Sequence, residues 1–178
     1  MTQNVGDIHS NTKGSGARYN AGKVPFDLLP LNVVSDMYKK NLPLSDDLDL
    51  DAFWAVEVLH HIADFQAGDD SALESALVAS AFGEPDLNGF ELAARVFEYG
   101  KKKYAAWNWA KGMQWSVPIG CIVRHIQKIL NGEKTDDESG IHHMGHIQCN
   151  LFMLAHYMNN YKEGDDRPVE WFGGSVCS

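Results

Sequence analysis

Apolar positions along the chain recur mainly at helical spacing, and no convincing run of strand alternation interrupts them. Leu31 to about Lys39 predicts a first helix. A polar loop follows from Asn41 to Asp49, with Asp49 or Asp51 as cap of a second helix over roughly 51–67 that stops at Gly68. Residues 71–82 predict a third, and Gly83-Glu84-Pro85-Asp86 a break. Asn88 caps a fourth helix carrying Phe90, Ala93, Ala94 and Phe97 before Gly100. An aromatic connector over 104–116 leads into two long helices at about 117–131 and 140–161. The reading is an all-α chain: a flexible arm over 1–16, one helical domain over 17–163 and a loop-like tail over 164–178.

Composition agrees with one compact domain, since 178 residues that are 44% hydrophobic can bury a core without staples. Fifteen Lys and Arg against 24 Asp and Glu leave a formal charge of -9, which opposes direct binding to duplex DNA. A small anionic ligand held with metal stays compatible with that field. Cys121, Cys149 and Cys177 stand far apart with no CxxC pair, so neither a disulfide framework nor a zinc ribbon is indicated. No apolar run approaches the roughly 18 residues of a membrane span, and the polar N-terminus lacks an apolar export core. A cytoplasmic protein without membrane contact is expected.

Two halves echo each other. His61 is followed by Gly68 and Glu74, and His125 by Gly132 and Glu138, at equal intervals. Residues 39–88 and 117–150 are thus related by duplication, or agree by chance among many helical pairings.

The strongest chemical signal is Asp136-Asp137-Glu138-Ser139-Gly140-Ile141-His142-His143-Met144-Gly145-His146. On a helix His143, His146 and Asn150 share a stripe that continues into Leu154 and so faces inward, while His142 points about 100° away. Buried imidazoles need partners. His125 lies on the inward stripe of the preceding helix with Ile122 and Ile129, and Arg124 sits at its edge. A helical hairpin with a polar turn brings His125, His143 and His146 together, with Glu138 at the junction, a mixed nitrogen and oxygen set suited to Mn, Co, Zn or Mg. The competing reading makes each histidine a satisfied core or surface residue. Glu57, His60, His61 and Asp64 form a rival stripe, readable as a second metal face or as a solvated, internally paired surface.

Cations cluster at Arg18 and Lys23, which flank a glycine-containing loop, and at Lys101-Lys102-Lys103 beside Tyr104. Both suit phosphate oxygens, although three lysines at a helix C-terminus also follow from dipole pairing. Trp107-Asn108-Trp109 offers a stacking face and an amide able to read a purine edge, or else aromatic packing between helices.

The ordered motifs Gly16-x-Arg18-x-Asn20-x-Gly22-Lys23-x-Pro25-x-Asp27-Leu28-Leu29-Pro30, Tyr99-Gly100-x-Lys102-Lys103-Tyr104, Asn108-Trp109, Arg124-His125, Gly132-Glu133, and Asp136-x-Glu138-Ser139-Gly140-x-x-His143-x-x-His146 with Asn150 carry a resemblance. Over residues 16–37 and 90–158 the chain resembles the phage dATP/dGTP diphosphohydrolases, the MazZ type within the MazG-like all-helical nucleotide pyrophosphohydrolases. The resemblance implies a MazG-like helical bundle completed by oligomerisation, as a homodimer or homotetramer, in the host cytoplasm. It implies hydrolysis of dGTP or dATP to the monophosphate and pyrophosphate with a divalent metal (Mn, Mg or Co), supplying dGMP for diaminopurine-containing phage DNA. It assigns metal binding to His125, Glu138, His143 and His146, and catalysis to Glu138, His125 and Asp136, the last as an oriented or water-bridged partner. Arg18, Lys23, Lys102, Lys103 and Arg124 would hold phosphates, and Tyr104, Asn108, Trp109 and Asn150 would complete the substrate site. The chain departs from the family in two places: roughly residues 39–88 are inserted, and His143-Met144-Gly145-His146 stands where MazG-type enzymes carry an ExxD motif.

Two other functions compete. An HD-type phosphohydrolase releasing triphosphate requires an adjacent His-Asp pair, which the sequence lacks. A non-catalytic module whose histidines hold a metal-bound helical assembly would turn over nothing.

Overall fold

The computed structural model describes residues 6–19, 21–41, 49–81 and 89–172. Among them seven helices appear: α1 (Leu31–Asn41), α2 (Leu50–Gln66), α3 (Ala72–Ala81), α4 (Gly89–Tyr104), α5 (Ser116–Leu130), α6 (His143–Asn160) and the single-turn α7 (Val169–Phe172). No strand occurs among the described residues, and an isolated β-bridge pairs Thr135 with His142. The all-α expectation is met. Asn88, expected to cap α4, lies outside the described residues.

Two antiparallel hairpins build the core: α2 packs on α3, α5 on α6, and across them α2 meets α5 while α3 meets α6. α4 covers the remaining face of α6. Ile62, Leu73, Ile122, Ile126, Ile147 and Leu154 are almost inaccessible at the centre, so the apolar faces of all four hairpin helices converge there. The connections differ. Residues 67–71 close the first hairpin tightly, whereas 131–142 make a long loop, folded back on itself by the Thr135–His142 bridge. α6 consequently starts at His143, later than the pattern predicted, because His142 serves as its cap: the ring Nδ1 accepts the Met144 amide at 3.2 Å.

Residues 6–16, read from sequence as a flexible arm, are held by backbone bonds from Gly14 to Lys111 and from Gly16 to Gly112, and by Lys111 Nζ on the Ile8 and Ser10 carbonyls. Within the tail, Arg167 lies over Phe65 and Trp115, donates to the Phe65 carbonyl at 2.8 Å and pairs with Asp70 and Asp165. The cation–π and charge-assisted contacts together fasten the segment around Arg167 to the core.

Gly145 explains one letter of the His143-Met144-Gly145-His146 sequence. A Cβ there would stand 2.7 Å from Leu92 Cβ and 3.0 Å from the Leu92 carbonyl carbon, so α4 reaches α6 only because the side chain is missing. Helix propensity favours alanine by about 1 kcal/mol, but overpacking costs about 1–3 kcal/mol. Gly145→Ala is therefore expected to lower the urea midpoint, and an unchanged or raised midpoint would show that α4 yields freely.

Candidate metal centre and cleft

α5 and α6 carry three imidazoles into the interface between them, and the 131–142 loop folds over to meet them. His125 Nδ1 and His143 Nδ1 lie 2.9 Å apart, and the His125 and His146 rings stack at 4.5 Å between centroids. Asp136 is fixed in the loop. Its Oδ2 accepts both the amide (3.0 Å) and the hydroxyl (2.9 Å) of Ser139, and that hydroxyl also lies 2.8 Å from His146 Nε2. His146 Nε2 is itself 3.8 Å from Asp136 Oδ2.

Ligand atoms of His125, Asp136 and His143 all fall within 4.8 Å of one another. Two imidazole nitrogens and one carboxylate oxygen suit a borderline divalent cation and leave coordination positions open. Further observations fit such an ion. His143 is 2% exposed, yet its Nε2 has no protein hydrogen-bond partner. Burial, reinforced by His146 and His143, holds His125 well below the usual imidazole range. Burial likewise lowers His143, and brings His146 down to about 4. Burial alone would raise the Asp136 carboxyl, but the Ser139 hydrogen bonds and the neighbouring imidazoles hold it below its ordinary value. At neutral pH the rings thus offer lone pairs and the carboxylate its charge, the protonation states that a cation requires.

Beside this group opens a cleft of about 620 Å³, and His125, Asp136 and His146 form part of its wall. Arg18, Lys23, Lys103 and Arg124 line it too, a concentration of positive charge in a chain that is otherwise acidic. Arg18 donates from Nη2 to Asn150 Oδ1, and Asn150 Nδ2 donates back to the His146 carbonyl at 2.7 Å. Arg124 donates to the Val24 carbonyl at 3.0 Å, while its buried Nε has no hydrogen-bond partner. Burial lowers the Lys23 ammonium. The far wall is apolar and aromatic, with Phe97 against Trp109 at 5.1 Å and Trp109 against Trp107 at 6.1 Å.

Several expected residues stand elsewhere or do something different. Glu138 is not in the three-residue group; it pairs with Lys103 at 3.2 Å, because the long loop puts Asp136 rather than Glu138 against the imidazoles. Lys102 pairs with Glu98 at 3.8 Å, is largely exposed and does not line the cleft. Tyr104 offers its hydroxyl to the Tyr19 amide at 3.1 Å. Asn108 is buried at the cleft wall with both amide ends committed, accepting from Ala17 N at 3.2 Å and donating to Ala17 O at 3.0 Å. Its amide pins the residue before Arg18 instead of facing a base. The rival stripe does not assemble: His60 bonds Ser35, Asp64 is exposed, and Glu57, His61 and Asp64 form no metal group among the described residues.

Sequence reasoning missed Ser139 as the link between Asp136 and His146, although its place in the motif was visible. It also missed Cys121, which lines the cleft beside Arg124 at 3.5 Å. Burial would raise that thiol, but the Arg18 and Arg124 charges draw it below its ordinary value.

Residues 86–167 match the family model described as dATP/dGTP diphosphohydrolase, N-terminal. That part of the chain resembles the phage dATP/dGTP diphosphohydrolases. A dATP/dGTP diphosphohydrolase of Salmonella phage PMBT28 is 32% identical over 77 residues, which are 43% of this chain and 26% of the relative. The match therefore spans about a quarter of that relative's length. No solved structure matches the chain significantly. The matched span holds α4, α5, α6 and all three residues of the candidate metal group; Arg18, Lys23 and the α2–α3 hairpin lie outside it.

The depressed imidazoles make stability depend on pH. An unfolded histidine takes up a proton near pH 6.5, whereas folded His146 does so only near 4. Stabilisation is thus complete above 6.5 and is lost as pH falls towards 4, by on the order of 3 kcal/mol for this ring. Thermal melts from pH 7.5 to 4.5 are expected to show a falling midpoint, and His146→Asn to flatten the profile; a flat wild-type profile contradicts the assignment.

Proposed function

We propose that this protein is a metal-dependent nucleotide pyrophosphohydrolase, cutting a purine deoxynucleoside triphosphate, dGTP or dATP, to the monophosphate and pyrophosphate. The observation that carries this reading is the His125, Asp136 and His143 donor group beside a cleft that gathers Arg18, Lys23, Lys103 and Arg124. The resemblance over residues 86–167 supports the same reaction class.

His125, Asp136 and His143 would hold a divalent cation, Mn, Mg or Co, which would supply Lewis-acid activation of water and neutralisation of phosphate charge. The protein's own part is positioning and electrostatics. Arg18 and Arg124 both line the cleft, with their guanidinium groups held by Asn150 and by the Val24 carbonyl. Fixed donors of this kind stabilise charge that develops on the α-phosphoryl group and on departing pyrophosphate. Asp136, anchored by Ser139, acts in this reading as a ligand of the cation and orients the water beside it. The aromatic wall at Phe97 and Trp109 offers a face for the base. No covalent nucleophile enters this scheme.

The expected biological role is supply of dGMP for diaminopurine-containing phage DNA, in the host cytoplasm, by a homodimer or homotetramer. Direct DNA binding is not expected from an acidic chain.

Incubation with dGTP and Mn separates the readings by product: dGMP and pyrophosphate support this one, deoxyguanosine and triphosphate indicate a triphosphohydrolase, and intact dGTP indicates a non-catalytic assembly. Asp136→Asn and His143→Ala are each expected to lower kcat by about 10²–10³. Arg124→Ala is expected to weaken nucleotide binding, raising KM about tenfold through loss of a charge-assisted contact. Full activity in either of the first two variants would remove the donor group from the reaction.

A further inference from the structure

Asp51 lies in the first turn of α2, outside the span that matches the family, and is 1% exposed. A buried carboxylate needs strong partners. Both of its partners belong to the loop that completes the candidate metal centre. His142 Nε2 lies 3.1 Å from Asp51 Oδ2, and Lys134 Nζ lies 3.7 Å from the same oxygen.

The cap at the start of α6 fixes the direction of the His142 bond. His142 Nδ1 accepts the Met144 amide, so that nitrogen carries a lone pair and the ring proton sits on Nε2, which donates to Asp51. The carboxylate selects the one tautomer that can cap the helix. Asp51 also reaches both arms of the loop. Lys134 stands two residues before Asp136, and His142 stands one before His143. The arms are joined between these points by the Thr135–His142 bridge and by the His143 amide donating to the Lys134 carbonyl at 2.9 Å.

We infer that Asp51 is a positioning residue for the metal group: it clasps the loop across its two arms and so sets Asp136 against His143. The inference rests on the reading of His125, Asp136 and His143 as cation ligands. It assigns a function to the α2–α3 segment, which contributes none of those ligands. Carboxylates that orient ligand histidines act in a comparable way, and their loss lowers metal affinity by about 10- to 100-fold.

The test titrates the full chain with Mn²⁺, following free Mn²⁺ by electron paramagnetic resonance, and reads histidine tautomers from ring ¹⁵N shifts. Asp51→Ala is expected to lose about 10- to 100-fold in Mn²⁺ affinity and to release the His142 Nε2–H tautomer, with helical circular dichroism retained. Asp51→Asn, whose amide oxygen can still accept the ring N–H, is expected to recover part of that affinity. His142→Asn covers the case in which Asp51→Ala does not fold, because asparagine caps a helix but is too short to keep the link to α2. It is expected to match Asp51→Ala, and the double variant to bind no more weakly than either single one. Wild-type Mn²⁺ affinity in folded Asp51→Ala or in His142→Asn overturns the inference, as do additive losses in the double variant. dGTP turnover in the same samples tells the two readings apart: a wild-type chain that binds Mn²⁺ without cleaving dGTP ends the hydrolase reading alone.

Discussion

Three imidazoles and a carboxylate brought into the interface of α5 with α6 are the constraint around which the rest of this chain is arranged. Each buried polar group left without a partner costs about 1–3 kcal/mol. The structure meets that demand with a closed set of contacts: His125 with His143, His146 with Ser139, and Asp136 with Ser139. The His143 Nε2 remains, buried and without a protein partner. A purely structural cluster gains nothing from keeping that atom unsatisfied, whereas a metal group needs lone pairs held ready. The twelve-residue loop over 131–142 follows from the same demand, since a tight turn between α5 and α6 would leave no polar chain to fold over the rings.

Charge is distributed to the same end. A chain with net charge -9 gathers two arginines and three lysines at one cleft, and the oxygens that hold the arginines are neutral ones. Arg18 is bonded to an amide and Arg124 to a backbone carbonyl. Neutral acceptors orient a guanidinium without neutralising it, so its field stays available to an anionic ligand. The positioning extends one step further back, since the Asn108 amide pins Ala17 from both ends and thereby delivers Arg18 to the cleft.

Helices and their stripes were legible in the sequence because apolar periodicity is a local signal. The inward face of His143, His146 and Asn150 could be read from spacing alone. What spacing could not give was the path of a loop. Glu138 looked like the junction ligand from its place between the helices; the bridged loop puts Asp136 against the imidazoles and pairs Glu138 with Lys103. His142 was placed 100° off the functional stripe on the assumption that it was helical. It is the cap instead, a role that depends on an acid nearly a hundred residues away in sequence. Asn108 misled for a similar reason: an amide between two tryptophans suggests base recognition until the backbone it holds is known.

The α2–α3 hairpin is not an ornament on a self-sufficient half. Residues 86–167 hold the donor group, but α2 lies over α5 and α3 over α6, two helices whose Ile122, Ile126, Ile147 and Leu151 are each at most 2% exposed. Removing the hairpin from this chain would return apolar side chains of both helices to water, at roughly 1.5–3 kcal/mol for each large one exposed, unless another surface replaced it. A helical hairpin supplied by a second chain can cover the same face, which is how oligomeric bundles close a core. Here the cover is covalent, and it brings with it a buried acid at the loop beside the donor group. Fold completion and site geometry are therefore the same event in this protein: the surface that keeps α5 and α6 dry is also the one that holds Asp136 and His143 in register.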